Sequence, residues 1–302
     1  MSSGAPVQVT RRTLAGWPLP RIGSDKESRG RVLVAGGTPG TPGAVLLAGE
    51  AALRAGAGKL QIATAPATCT ALGVAVPEAA TIAWPHAALA GGGEASASSP
   101  DHVVGSLAGA DTVLVGPGVS DPDLACDLVA EVLAALSEKA HLVVDALGSA
   151  FLTGRPDGLG TVEARAVVTV NPLELAHVIG AEETEIEEDL AGATAEASRR
   201  TGAVVLGGGE VKHVAAPDGS AWVVTVGGPG LGVSGSGDVQ SGIVSGLLAR
   251  GCEPAQAAVW GAYLHGAAGE MLSREVGAVG FLARQLPGTV PALLADLAGR
   301  PA

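Results

Sequence analysis

The chain predicts an α/β fold of three layers, a mainly parallel central sheet with helices on both faces. Two observations carry that expectation. Short apolar runs alternate with longer helical patterns along most of the 302 residues, and strands that alternate with helices pair in parallel between two helical layers. Alanine and glycine dominate while aromatic residues make up only 2%, a composition that suits helices packed closely on a sheet.

RVLVAGG (31–37) reads as a buried strand, AVLLAGEAALRAGAG (44–58) as a helix of small residues and KLQIATA (59–65) as the next strand. GGGEASASSP (91–100) is expected as a surface loop, followed by a short helix and the strand DTVLVGPG (111–118). A helix over 122–139 leads to HLVVDAL (141–147), and AVVTVNP (166–172) closes another strand. A helix over 173–180 precedes the acidic run EETEIEED (182–189), read as a solvated loop and helix start, and a helix runs on to 201. AVVLGGG (203–209) and VKHVAAPDGSAWVVTV (211–226) read as strands, the second pair a hairpin around Pro217-Asp218-Gly219. Helices over 238–250, 255–273 and 290–298 complete the chain. No internal repeat or linker divides it, so residues 1–20, polar and carrying Pro18 and Pro20, are expected as a flexible N-terminal arm and 21–302 as one domain.

A net charge of −12 argues against nucleic acid or an anionic membrane surface as partner. It leaves room for nucleotides, because a local nest of amides binds phosphate inside an acidic protein. Cys69, Cys126 and Cys252 are scattered and form no CxxC pair, which fits a reducing compartment. The first residues lack the apolar run of a signal peptide, and no stretch reads as a membrane span. A cytoplasmic location is expected.

In a parallel sheet, ligands bind beyond the carboxyl ends of the strands. Of the loops placed there, GLGVSGSGDVQSGIVSGLLARG (230–251) is the most informative. A glycine-rich turn delivers one acid, Asp238, to a helix start. Helix N-termini hold unpaired N–H groups and partial positive charge, and so bind phosphate. An acid placed there suits proton removal from a hydroxyl that meets a phosphoryl group. The plainer reading is an Asp capping a helix. GLGVSG (230–235) matches the dinucleotide pattern GxGxxG, but a second helix follows it instead of a strand ending in an acid. There is no Walker A loop and no GxSxG elbow, and the histidines show no metal spacing; His265 reads as a buried core histidine.

Taken in order, RGRVLVAGG, PGAVLLAGEAALRAGAGKLQIAT, VPEA (76–79), VGPGVSD, NPLELAHVIG, VVLGGG, SGSGDVQSGIVSGLLARG and AAVWGAYLHGAAGE resemble the ADP/ATP-dependent NAD(P)H-hydrate dehydratases of the ribokinase-like superfamily. The resemblance covers residues 15–300 and implies a ribokinase-like fold. By it, Asp238 is the catalytic acid–base, and Gly235, Ser236 and Gly237 form the anion-hole turn. Ala44, Gly118, Asn171 and Asp238 would line the hydrated dinucleotide. Gly207, Gly208, Gly209, Glu210 and Val211 fall on the segment Lys-Gly-Ala-x-Thr that wraps the AMP part of the nucleotide. This chain departs from that pattern: Gly207 replaces the lysine, Val211 the threonine and Asn171 a histidine. Near residue 41 a usual tyrosine is absent, and an acid pair after strand 141–145 is reduced to Asp145.

The implied reaction is ADP-dependent repair of hydrated NADH or NADPH, with Mg2+ assisting, no metal ligand assigned to the protein and a homotetramer as the assembly. Two alternatives stand beside it. One is a small-molecule kinase of the same superfamily, of the hydroxyethylthiazole or hydroxymethylpyrimidine type; the other is a non-catalytic nucleotide-binding relative.

Overall fold

The computed structural model describes residues 5–86, 97–155 and 157–297. Most of the loop expected over 91–100 lies outside them. Among the described residues one sheet holds ten strands: β1 (Val7–Gln8), β2 (Arg31–Ala35), β3 (Lys59–Thr64), β4 (Ala79–Ala83), β5 (Thr112–Val115), β6 (His141–Asp145), β7 (Ala166–Val170), β8 (Val204–Gly208), β9 (Lys212–Ala215) and β10 (Ala221–Val224). Their order is β1-β10-β9-β8-β7-β6-β5-β2-β3-β4. The seven from β4 to β8 pair in parallel, and β9 and β10 add an antiparallel hairpin at one side. The chain winds outward from β2 in both directions, so the switch point lies between β2 and β5, where loops diverge and leave a crevice.

Among the described residues eleven α-helices surround the sheet: α1 (Arg11–Ala15), α2 (Gly43–Ala55), α3 (Cys69–Ala75), α4 (Pro100–Ala108), α5 (Pro122–Ala135), α6 (Pro172–Ile179), α7 (Glu183–Glu188), α8 (Leu190–Thr201), α9 (Ser236–Ala249), α10 (Pro254–Glu275) and α11 (Leu286–Leu297). Alternate residues of each strand face opposite ways, and two separate cores result. Val34, Leu114, Val143, Val167 and Leu206 pack with α2, α9 and α10. Leu33, Val113, Val144, Val168 and Val205 pack with α4, α5, α6 and α8. The three-layer, mainly parallel expectation holds.

Helix α9 is buried on nearly every side and lies beside α2 on the same face of the sheet. It approaches α2 backbone to backbone. A Cβ built on Gly242 would overlap the Ala48 carbonyl, and one on Gly246 the Ala52 carbonyl. Only hydrogen at those α-carbons allows the approach.

Two segments differ from expectation. The arm expected to be flexible over 1–20 is packed where it is described: β1 pairs with β10, and Val9 and Leu14 are fully buried. Trp17 stacks on Trp222 at 5.6 Å, and its carbonyl accepts from Trp260 Nε1 at 3.0 Å. Isolated apolar residues in a polar stretch each found a pocket, which no periodicity reveals. Strand β4 was also missed, because its run AATIA is short and alanine-rich.

Gly242→Ala tests the helix contact. The added methyl has no room, and overpacking of this kind costs about 1–3 kcal/mol. Urea denaturation that finds the variant within about 0.5 kcal/mol of wild type would show that α9 can shift away from α2 freely.

Candidate active site

Beyond the carboxyl ends of β6, β7 and β8 lies a cavity of about 600 Å³. Its walls include Asp145, Asn171, Glu174, Lys212, Gln240 and His265. Its floor is the Gly235–Asp238 turn at the start of α9. Gly235 takes the N-cap position with φ of +89°, and a Cβ there would come 2.5 Å from Leu47 Cδ1 of α2. The left-handed backbone and the crowding both require glycine. The Ser236 amide donates back to the Val233 carbonyl at 3.1 Å. Among the described residues, the Gly237 and Asp238 amides therefore remain without a backbone acceptor at the helix tip. Such amides with the positive end of a helix dipole form an anion site. Gly237 is not held at positive φ, and a Cβ there meets nothing within 4 Å. Its value lies in leaving the approach to those amides open.

Three carboxyls share one side of the cavity. Asp145, at the end of β6, is buried; its Oδ1 accepts from Thr169 Oγ1 at 2.5 Å and its Oδ2 from Ser241 Oγ at 2.9 Å. Loss of water pushes its pKa up to about 7, and repulsion from Glu174 adds to this. Asp238 is likewise raised to about 7, first by burial and then by Asp145. Glu174 is raised by burial, partly offset by its hydrogen bond from the Asn171 amide, while Asp238 pushes it further up. An acid at a helix N-terminus is ordinarily favoured in its charged form. Here burial, with Asp145 adding to it, wins, and the Asp238 pKa is raised to about 7, where a general base works best.

The other expected residues fall into three groups. Gly208, Gly209, Glu210 and Asn171 line the cavity. Asn171 caps α6: its Oδ1 accepts from the Glu174 amide at 2.9 Å, while Glu174 Oε2 accepts from the Asn171 amide at 2.9 Å. Its Nδ2 is left to meet a ligand. Ala44 and Gly118 touch each other at the switch point rather than within the cavity walls; a Cβ on Gly118 would come 2.9 Å from Ala44 Cβ. Gly207 and Val211 are also absent from the walls. Gly207 faces the opposite side of the sheet, where a Cβ would come 2.8 Å from Thr194 Oγ1 of α8.

Sequence reasoning missed Lys212 and Gln240 and underrated His265. Lys212 pairs with Gly208 across β8 and β9, and so projects onto the α9 side. Its Nζ donates to the Gly209 carbonyl at 2.8 Å. The available signal was a lysine at the start of a short strand, KHVA, in a sheet covered on both faces. His265 is buried as expected, yet it bonds Ser236 Oγ at 2.9 Å through Nε2, and its Nδ1 has no hydrogen-bond partner among the described residues.

Oxygen-rich walls suit a hard cation such as Mg2+, which takes one or two carboxylates and completes its shell with phosphate oxygens and water. Among the described residues no three His, Cys, Asp or Glu converge to hold a metal alone. Asp145 and Glu174 fit the partial role, since crowded carboxyls with raised pKa gain from a cation.

Asp145 yields a pH-dependent prediction. Its native pKa of about 7 exceeds the unfolded 3.8, so the native state binds more protons and stability falls as pH rises between those values. Asp145→Asn removes that penalty, and the Ser241 hydroxyl can still donate to the Asp238 carbonyl. The gain in Tm over wild type is expected to be larger at pH 8 than at pH 5. A Tm difference that does not change with pH would contradict a raised native pKa.

With this geometry in hand, comparison with known proteins is direct. The chain is 38% identical over 287 residues to an ADP-dependent (S)-NAD(P)H-hydrate dehydratase of Xanthomonas campestris, covering 95% of both. It is 36% identical over 268 residues to a bifunctional NAD(P)H-hydrate repair enzyme of Moorella thermoacetica, of which it spans half. In fold it matches a ribokinase-like superfamily protein of Enterococcus faecalis (TM-score 0.82, 22% identity, 97% and 96% of the two chains). It also matches the ADP/ATP-dependent NAD(P)H-hydrate dehydratase of Bacillus subtilis co-crystallised with ATP and Mg2+ (TM-score 0.77, 22% identity, 97% and 99%). The family model for NAD(P)H-hydrate dehydratase covers residues 32–292, and the chain belongs to that family.

Proposed function

We propose that this protein is an ADP-dependent (S)-NAD(P)H-hydrate dehydratase. One observation carries the reading: Asp238, with its pKa raised to about 7, stands beside open helix-tip amides in a cavity of about 600 Å³. Family membership supplies the substrate class.

The substrate carries a hydroxyl on the carbon next to the ring nitrogen, and hydroxide is a poor leaving group. Asp238 takes the hydroxyl proton as the oxygen attacks the terminal phosphorus of ADP, and the bond to the bridging oxygen breaks to release AMP. The Gly237 and Asp238 amides face the charge on the transferred phosphoryl group. The ring nitrogen lone pair then expels phosphate, and loss of a proton from the adjacent carbon restores NADH or NADPH. Mg2+, held by Asp145 and Glu174, would neutralise phosphate charge. Asn171 Nδ2 is placed to orient a ribose or amide, and Ala44 and Gly118 would border the rest of the dinucleotide at the switch point. Gly208, Gly209 and Glu210 would border the AMP part. Gly207 and Val211, outside the cavity walls, would shape that loop only through its backbone.

The reading extends to a cytoplasmic homotetramer, the place expected from the sequence and the assembly implied by the resemblance; light scattering on the purified chain reads the assembly. No described helix is long and apolar enough to cross a membrane.

Incubation with ADP and hydrated NADH should restore absorbance at 340 nm with release of AMP and phosphate. A stable phosphate ester without recovered absorbance would mean a kinase instead. Asp238→Asn should lower turnover by about 10²–10⁴-fold, the usual share of a general base, while ADP binding survives. A variant keeping more than about a tenth of the rate contradicts that role. Gly237→Val should fold with an unchanged Tm, because space surrounds that position, but lose turnover as the side chain covers the amides. Normal turnover in that variant would reduce the turn to a helix cap.

A further inference from the structure

The start of α9 divides the cavity. Asp238 and Ser241 lie on one face of the helix, joined to Asp145. Ser236 and Gln240 lie on another, about 150° round at 100° per residue. The first side is acidic. The second holds polar groups without partners: Gln240 Nε2 is a donor, and His265 Nδ1 is one in the tautomer whose Nε2 accepts from Ser236 Oγ. Gln240 and His265 line the cavity, each less than a tenth exposed, and Gln240 Nε2 and His265 Nδ1 have no hydrogen-bond partner among the described residues. Lys212 stands with them, close enough that its charge disfavours protonation of His265. It is buried with no carboxylate partner among the described ion pairs, and its Nζ meets only the Gly208 and Gly209 carbonyls. Among the described residues it is the one lysine or arginine on the cavity wall, facing acids at Asp145, Glu174, Glu210 and Asp238.

A buried ammonium without an anion is costly, and two orphaned polar groups beside it raise the cost further. A ligand rich in anionic oxygen would satisfy all three. We propose that Lys212, with Gln240 and His265, binds the diphosphate of the adenine nucleotide, leaving the Asp238 side to the hydroxyl of the dinucleotide. Gly207 could not serve in its place even as a lysine, since position 207 faces α8 across the sheet. In this chain the phosphate cation is delivered from β9. The assignment rests on an adenine nucleotide being the co-substrate.

Calorimetric titration with ADP and with adenosine tests it, on wild type, Lys212→Met and Lys212→Arg in buffer containing Mg2+. The Met variant is expected to lose ADP affinity by about ten- to a hundredfold, the range of a lost charge-assisted contact. Adenosine affinity should be unchanged, and the Arg variant should bind ADP like wild type. Wild-type ADP affinity should also fall as pH rises past about 8, where burial has brought the Lys212 pKa, and the Arg variant should lack that fall. The neighbouring Asp145 and Asp238, raised to about 7, and Glu174, also raised, act alike in wild type and the Arg variant, and His265 is lowered to about 3, so the difference between the two proteins reads Lys212. This arm needs no folded Met variant. Equal ADP affinity in the Met variant and wild type overturns the assignment, as does a parallel loss of adenosine binding or no ADP binding by wild type. Dehydration is scored apart, at 340 nm. Lys212-dependent ADP binding without recovered absorbance sinks the dehydratase reading alone, and recovered absorbance with Lys212-independent binding sinks the phosphate assignment alone.

Discussion

The contact of α9 with α2 is made through backbone, at Gly242 against Ala48 and Gly246 against Ala52. Everything at the site depends on it. Larger residues at these positions would lift α9 from α2, and with it the turn that caps the helix. Two turns before Gly242, a Cβ on Gly235 would crowd Leu47 of the same α2. The helix tip is thus fixed relative to β2 and the switch point, while Ser241 fixes it relative to β6 through Asp145. A long, nearly all-buried helix is an apolar structural element, yet its end does the polar work.

The same placement explains how a chain of net charge −12 can take an anionic nucleotide. Long-range charge opposes binding, but exposed charges are screened within about 8–10 Å at ordinary salt. Inside the cavity, local terms decide. Burial and mutual repulsion hold Asp145 and Asp238 partly protonated near pH 7, so the acidic side is less charged than its composition suggests. Helix-tip amides, and in our proposal Lys212, supply the positive side. The crowding that weakens repulsion of phosphate also tunes Asp238 for proton transfer.

Much of this was legible in the sequence, for physical reasons. Apolar runs marked the parallel strands other than β4, and the Pro217-Asp218-Gly219 turn marked the hairpin. Glycine spacing with one acid marked the α9 turn, because few other roles require both. What escaped depended on tertiary contact. Val9, Leu14 and Trp17 looked like arm residues until the pockets that receive them were seen. The free amides could be narrowed to Gly237 and Asp238 only by knowing that Ser236 turns back to Val233. The facing of Gly207 and Lys212 follows from strand register, which a single sequence does not supply. Reading the loop by position made Gly207 a loss, whereas register places a cation on the α9 side five residues later.

The central claim is that the start of α9 is where phosphate binds and reacts. A crystal structure with ADP and Mg2+ tests this most directly. The account predicts a phosphate oxygen within about 3.2 Å of the Gly237 and Asp238 amides, with the adenosine running toward Gly208–Glu210. A nucleotide bound with its phosphates elsewhere, and water at the helix tip, would contradict it.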